Sequence, residues 1–272
     1  MGLFKQKKPF GIHAVEQEEH PEPEDISQTF GDDVWSSPKY SESRSIQLDQ
    51  DELDKNNIIG LLPDPPELDH YRLLRTQIQQ RTKAKGWNTI MVTSAHPGEG
   101  KTMTSINLAF MFAREYDCTA LLVDCDLRRQ CVHKYLGYES TAGVGDFLLR
   151  NKPLNDLIVW PGVEKLTIIS GGKIIRNSTE LLGSPQMKQL VTEMKNRYAN
   201  RYIIFDVPPL LARSDAVAFA PVVDGILFVV AAGKTSIYDV QKSIELIPRQ
   251  KFLGFVLNWI KGKSHKYGYG YY

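Results

Sequence analysis

The stretch that most constrains this chain is Ser94-Ala95-His96-Pro97-Gly98-Glu99-Gly100-Lys101-Thr102, set between the apolar run Thr89 to Thr93 and the helix-like segment Ser105 to Phe112. Strand, glycine-bearing loop, Gly-Lys-Thr and helix is the order of a phosphate-binding loop. The residue types follow from the task. Two glycines let successive backbone N–H groups turn onto the phosphates of a nucleotide, and the helix N-terminus adds partial positive charge. Lys101 brings an ammonium to the β and γ oxygens, and the Thr102 hydroxyl is a ligand for Mg²⁺. Pro97, Gly98, Glu99, Gly100, Lys101 and Thr102 are therefore candidate nucleotide contacts. The pattern departs from G-x-x-x-x-G-K-[ST] at its first position, where Ala95 replaces glycine.

Two more apolar runs end in carboxylates. Ala120 to Val123 leads into Asp124-Cys125-Asp126-Leu127-Arg128-Arg129, and Tyr202 to Phe205 leads into Asp206-Val207-Pro208-Pro209. Parallel strands present their C-terminal ends to one crevice, so Asp124, Asp126 and Asp206 are expected to converge on the phosphates and metal held by the loop. Together with Lys101 they form the candidate catalytic set, and with Thr102 the candidate metal ligands. Further strand-like and helix-like segments alternate to the end of the last strand. This predicts an α/β fold, a P-loop NTPase-type parallel sheet with helices on both faces. Ser178 to Leu182 opens a helix expected to continue through Met187, Leu190, Val191 and Met194. Asn258, closing the last strand, is a candidate adenine contact through its amide.

These runs resemble the Walker A, A′ and B motifs of the bacterial tyrosine kinases, which act in exopolysaccharide and capsule synthesis. Glu180-Leu181-Leu182, Ser214-Asp215-Ala216 and Gly233-Lys234-Thr235 are similar to spacing elements of that family, and the resemblance covers roughly residues 60 to 272. It accounts for Ala95, since the family does not require glycine there.

Composition sets the limits of the domain. The 272 residues carry a net charge of +1, yet the first 57 hold 13 acidic and 6 basic side chains, so the rest of the chain is basic, as suits a polyanionic ligand such as ATP. That acidic start, rich in Glu, Ser, Gln and Pro, has too little apolar surface to offset ordering entropy, so residues 1–60 are expected to be a largely disordered tail. Phe10, Phe30, Trp35 and Tyr40 are candidates for short docking motifs within it. Residues 61–262 form the expected kinase domain, opened by the prolines of Leu61-Leu62-Pro63-Asp64-Pro65-Pro66. Three cysteines without metal-ligand spacing read as reduced thiols. His96 and His133 have no metal-spaced partners. No apolar run approaches the roughly 18 residues of a membrane span, and the N-terminus lacks the apolar segment of a secretory signal. Gln6 does not fit a myristoylation signal.

The chain closes on Tyr267-Gly268-Tyr269-Gly270-Tyr271-Tyr272, within a flexible tail expected over 263–272. The resemblance makes Tyr267, Tyr269, Tyr271 and Tyr272 the autophosphorylation site, with Asp124 or Asp126 accepting the phenolic proton. A tyrosine with a pKa of about 10 is otherwise almost fully protonated at neutral pH. Asp69-x-x-Arg72-x-x-Arg75 is similar to the family's E-x-x-R-x-x-R element that joins subunits into a ring, with Asp for Glu. By the same resemblance the tail of one subunit enters its neighbour's site. Each phosphate adds a charge of about −1.5 to −2, enough for several to drive the ring apart. The resemblance further implies ATP and Mg²⁺, a membrane polysaccharide co-polymerase as activator, a counteracting tyrosine phosphatase, and no nucleic-acid partner. It places the protein in the cytoplasm, held through its partner at the inner face of the membrane. The competing class is a regulatory ATPase of the partitioning and division-site type without kinase activity. Those enzymes carry a signature lysine where this chain has His96. A degenerate nucleotide-binding scaffold fits poorly with retention of Lys101, Thr102 and all three aspartates.

Overall fold

The computed structural model describes residues 43–62, 65, 67–198 and 200–260. Most of the acidic tail and the tyrosine cluster lie outside them. Eight strands form one sheet: β1 (Arg44–Ser45), β2 (Thr89–Ser94), β3 (Thr119–Asp124), β4 (Ile158–Trp160), β5 (Leu166–Ile169), β6 (Arg201–Asp206), β7 (Gly225–Ala231) and β8 (Phe252–Asn258). The helices are α1 (Gln50–Lys55), α2 (Leu68–Thr82), α3 (Lys101–Ala113), α4 (Val132–Tyr135), α5 (Val144–Arg150), α6 (Ser178–Leu182), α7 (Pro185–Asn196), α8 (Asp215–Phe219) and α9 (Ile237–Glu245). Strand order is β1-β4-β5-β3-β6-β2-β7-β8, parallel throughout except for the β4–β5 pair.

The pleat divides the core in two. Ile90, Val92, Ala120, Leu122, Ile204, Leu227 and Val229 face α2 and α3. Met91, Leu121, Val123, Ile203, Phe205, Ile226 and Phe228 face α5 to α9. Strands buried on both faces explain why the central ones read as continuous apolar runs rather than alternating ones. Every residue of α3 except Met103 is buried, so this helix is covered on the side away from the sheet as well. α2 supplies part of that cover through Leu68 and Ile78, the stripe visible in the sequence.

The rest of the cover comes from chain that the sequence assigned to the tail. Leu53 of α1 and Ile58 are buried in the α3-side core. At Gly60, whose N–H donates to Asn107 Oδ1 at 3.1 Å, a Cβ would stand 2.4 Å from that of Phe110. Among the described residues, chain before residue 61 is thus packed against the domain. Few apolar side chains are needed there because they enter a groove that α3 has already made. The single helix expected from Ser178 is two. Gly183 ends α6, and Ser184 caps α7 by accepting the Met187 N–H at 3.2 Å, with Pro185 at the first helical position where a missing N–H costs nothing. Among the described residues no helix is long and apolar enough to cross a membrane.

Candidate functional site

β6 lies between β3 and β2, and Asp206 is in register with both Asp124 and Val92. The topology therefore delivers the carboxylates of β3 and β6 to the side of the loop that leaves β2. Within the loop Gly98 (φ +82°) and Gly100 (φ +96°) adopt left-handed backbone that other residues avoid, Gly100 directly before α3. Ala95, by contrast, is fully buried and is not among the positive-φ residues, so this position has no conformational need of glycine.

The loop is held from inside. Glu99 is buried; its Oε2 accepts the His96 N–H at 2.9 Å and its Oε1 accepts the hydroxyl of Thr235. Glu99 thus gives the loop its backbone, while its carboxylate locks the loop to the turn after β7. Asn258, the candidate adenine contact, donates one Nδ2 hydrogen to the Glu99 carbonyl at 3.0 Å and so stands against the loop. The His96 ring faces Asp239 of α9, Nε2 to Oδ2 at 3.3 Å.

Lys101 is nearly enclosed, its Nζ 3.2 Å from Asp206 Oδ1 and 3.4 Å from both Asp126 Oδ2 and Thr102 Oγ1. Burial works against charge there, but Asp206, Asp126 and Asp124 outweigh it and hold the ammonium above the ordinary lysine range. Thr102 Oγ1 donates to Asp206 Oδ2 at 2.7 Å. Burial drives the Asp206 carboxyl upward against the opposing pull of Lys101 and Thr102. Burial and then the Asp206 charge raise Asp124 to about 7.

The two candidate bases differ in their hydrogen bonds. Asp124 is fully buried, and its oxygens accept the backbone N–H groups of Asp126 (3.0 Å), Cys131 (3.0 Å) and Val132 (3.1 Å). It closes the loop that carries Asp126. Asp126 uses Oδ1 for the Arg129 N–H at 3.1 Å and turns Oδ2 to Lys101. The geometry thus gathers Lys101, Thr102, Asp126 and Asp206 about one point, with Asp124 behind them.

Three carboxylates against one ammonium leave an excess of negative charge, and the available donors are hard oxygens, which suits Mg²⁺. Among the described residues no group of three or more His, Cys, Asp and Glu side chains is arranged to hold a metal unaided. The fit is therefore to an ion shared between Thr102, the carboxylates and phosphate oxygens, as Mg²⁺ is bound in nucleotide sites.

A second cluster supports the Asp126 loop. Asp215 at the start of α8 is fully buried and accepts the hydroxyls of Ser178 (2.5 Å) and Thr179. Arg128 Nε donates to the same Ser178 oxygen at 2.7 Å and lies 3.7 Å from Asp215. The sequence attached no chemistry to these residues; the signal available was an acid opening one helix and Ser-Thr opening another.

Of the predicted oligomer contacts, Asp69 pairs with Arg72 at 2.8 Å on the exposed side of α2. Arg75 turns inward to Glu115 at 2.8 Å and to the Met111 carbonyl at 3.3 Å. Tyr267, Tyr269, Tyr271 and Tyr272 lie outside the described residues.

A family model described as an AAA domain matches residues 87–251. The tyrosine-protein kinase YwqD of Bacillus subtilis is 35% identical over 221 residues, covering 80% of this chain and 92% of that protein. The tyrosine-protein kinase CpsD of Streptococcus pneumoniae is 33% identical over 203 residues, 74% of this chain and 87% of that one. Among solved structures, the kinase domain of the Escherichia coli tyrosine kinase ETK superposes with a TM-score of 0.70 at 28% identity, covering 84% of this chain and 94% of that domain.

Proposed function

Since the chain belongs to the bacterial tyrosine kinases, we propose that it is an ATP-dependent autokinase that phosphorylates Tyr267, Tyr269, Tyr271 and Tyr272 of its own tail. The observation that supports this most is the enclosed Lys101, with Asp126, Asp206 and Thr102 all within 3.4 Å of its ammonium. Phosphoryl transfer demands positioning and charge neutralisation more than covalent chemistry by the protein. The N–H groups from Gly98 to Thr102, with Lys101, hold the phosphates. Thr102, Asp206 and Asp126 are the residues that would hold Mg²⁺, which when bound neutralises charge developing on the phosphoryl oxygens. In this reading Asp126, whose Oδ1 accepts the Arg129 N–H and whose Oδ2 faces Lys101, receives the phenolic proton once Lys101 turns to the phosphates. Asp124 keeps it there.

In this reading the tail enters the site of a neighbouring copy in a ring joined through α2, where Asp69 and Arg72 are surface groups and Arg75 stabilises the helix from beneath. Phosphorylated tails repel and release the ring. The enzyme controls polymerisation and export of an exopolysaccharide or capsule. It is activated by a membrane polysaccharide co-polymerase, through which it sits at the cytoplasmic face of the membrane, and is reset by a tyrosine phosphatase. Oligomer mass before and after incubation with Mg·ATP tests the release step. A fall in mass is expected, and an unchanged mass on a fully phosphorylated protein would refute it.

A further inference from the structure

The order of the sheet gives the bound nucleotide a direction. β3 and β6, which carry Asp124 and Asp206, lie on one side of β2, and β7 and β8 lie on the other. The reacting end of a triphosphate must face the carboxylates, so its nucleoside end points toward the C-terminal ends of β7 and β8. There Ala231 is in register with Asn258, and the Ala232 N–H donates to the Asn258 carbonyl at 2.8 Å. Both strand ends are fastened to one loop residue, through Thr235 to the Glu99 carboxylate and through Asn258 to the Glu99 carbonyl. They form a wall against the loop so close that a Cβ on Gly100 would meet Asn258 Nδ2 at 2.0 Å.

The next residue on that wall is Trp259. Its φ of +60° is left-handed, a conformation rare for a bulky side chain and retained where the surroundings impose it. Lys234, from the turn that also carries Thr235, sets its ammonium 4.1 Å from the ring centroid. Even so, 51% of the tryptophan is exposed. A flat aromatic side chain, half exposed and with Lys234 over its ring, thus follows directly on Asn258, the residue fastened to the loop. We propose that the base of the nucleotide stacks on the Trp259 indole, and that Asn258, bonded through Nδ2 to the Glu99 carbonyl, positions this platform. Stacking is tolerant of base identity because every base has a π face, so the platform contributes affinity without choosing adenine over guanine.

The inference rests on the kinase reading only in taking a nucleoside triphosphate as the ligand. Its test is calorimetric titration of the full chain and of Trp259→Ala and Trp259→Phe with Mg·ATP and with inorganic tripolyphosphate, which has no base. The expected result is that Trp259→Ala weakens ATP binding about tenfold or more while Trp259→Phe retains most of it, with tripolyphosphate bound equally by all three. ATP, but not tripolyphosphate, should quench a component of tryptophan fluorescence that is missing in both variants. Unchanged ATP affinity in Trp259→Ala would overturn the proposal and leave the indole to the exposed Phe255 and Leu257 as a protein-docking face. Equal losses for both ligands would overturn it as well, by showing that the loop itself had moved. ATP affinity that depends on Trp259 with an unmodified tail would refute the kinase reading alone, and ATP affinity independent of Trp259 in an active autokinase would refute the platform alone.

Discussion

Replacing Gly100 by alanine tests how the nucleotide loop is built. Two costs are expected. The residue has φ +96°, and an L side chain in left-handed backbone costs about 1–2 kcal/mol. The new methyl would also lie 2.0 Å from Asn258 Nδ2, the far end of a side chain that can turn away only by giving up its hydrogen bond to the Glu99 carbonyl. That bond is worth about 1 kcal/mol. Gly100→Ala should therefore lose about 2–3 kcal/mol. Asn258→Ala alone should lose about 1 kcal/mol. The double variant should lose no more than Gly100→Ala, because the bond broken by the collision is the one that Asn258→Ala removes. The cycle then yields a coupling of about 1 kcal/mol, readable by urea unfolding if the slope stays constant. A Gly100→Ala variant as stable as wild type, or strictly additive losses, would refute this account of the loop.

Other consequences are as direct. Leu53→Ala should cost about 2–5 kcal/mol, the range for a buried leucine, although the sequence around it is acidic and polar; a negligible change would mean that α1 does not cover α3. Asp224 binds Lys195 Nζ at 2.7 Å and the Asn88 N–H at 3.0 Å, and although burial opposes it, these partners hold its carboxyl below the usual range. Its stabilisation is present above the unfolded pKa of about 3.9 and lost as pH falls through the lower folded value, so the stability gap to Asp224→Asn should narrow between pH 6 and pH 3. A constant gap would contradict this. Burial pushes Cys118 up to about 12 and Cys125 well above the thiol range, so an alkylating reagent at neutral pH should label half-buried Cys131 first in the folded protein. Equal labelling of Cys125, read by peptide mass spectrometry, would speak against its burial.

The legible parts of the molecule are those in which chemistry and secondary structure share one short run. Asp124, Asp126 and Asp206 each stand at a strand end or in the loop after one, and Lys101 and Thr102 open the helix after the β2 loop, so the parallel sheet that the pattern predicts places them on one side. Their division of labour was not legible. It depends on which backbone N–H groups the 125–132 loop turns toward Asp124, and periodicity does not carry that information. The same holds for Glu99, whose carboxylate the fold turns into the protein to accept from the His96 N–H and Thr235. The antiparallel strand β4 is three residues long, too short for a pattern. The burial of Leu53 and Ile58 was not legible because they fill a groove made by α3, not a core of their own. Trp259 is a lone aromatic after a strand, and only the pairing of β8 with β7 brings it to Lys234.

The central claim is transfer of phosphate to the tail, and it is tested by incubating the full chain and its Lys101→Met variant with Mg·ATP and locating phosphate by peptide mass spectrometry. The account predicts phosphotyrosine among Tyr267, Tyr269, Tyr271 and Tyr272 in the wild type and none in the variant. Hydrolysis of ATP by a wild-type protein whose tail stays unmodified, even with an activating membrane partner supplied, would contradict it and point to a regulatory ATPase.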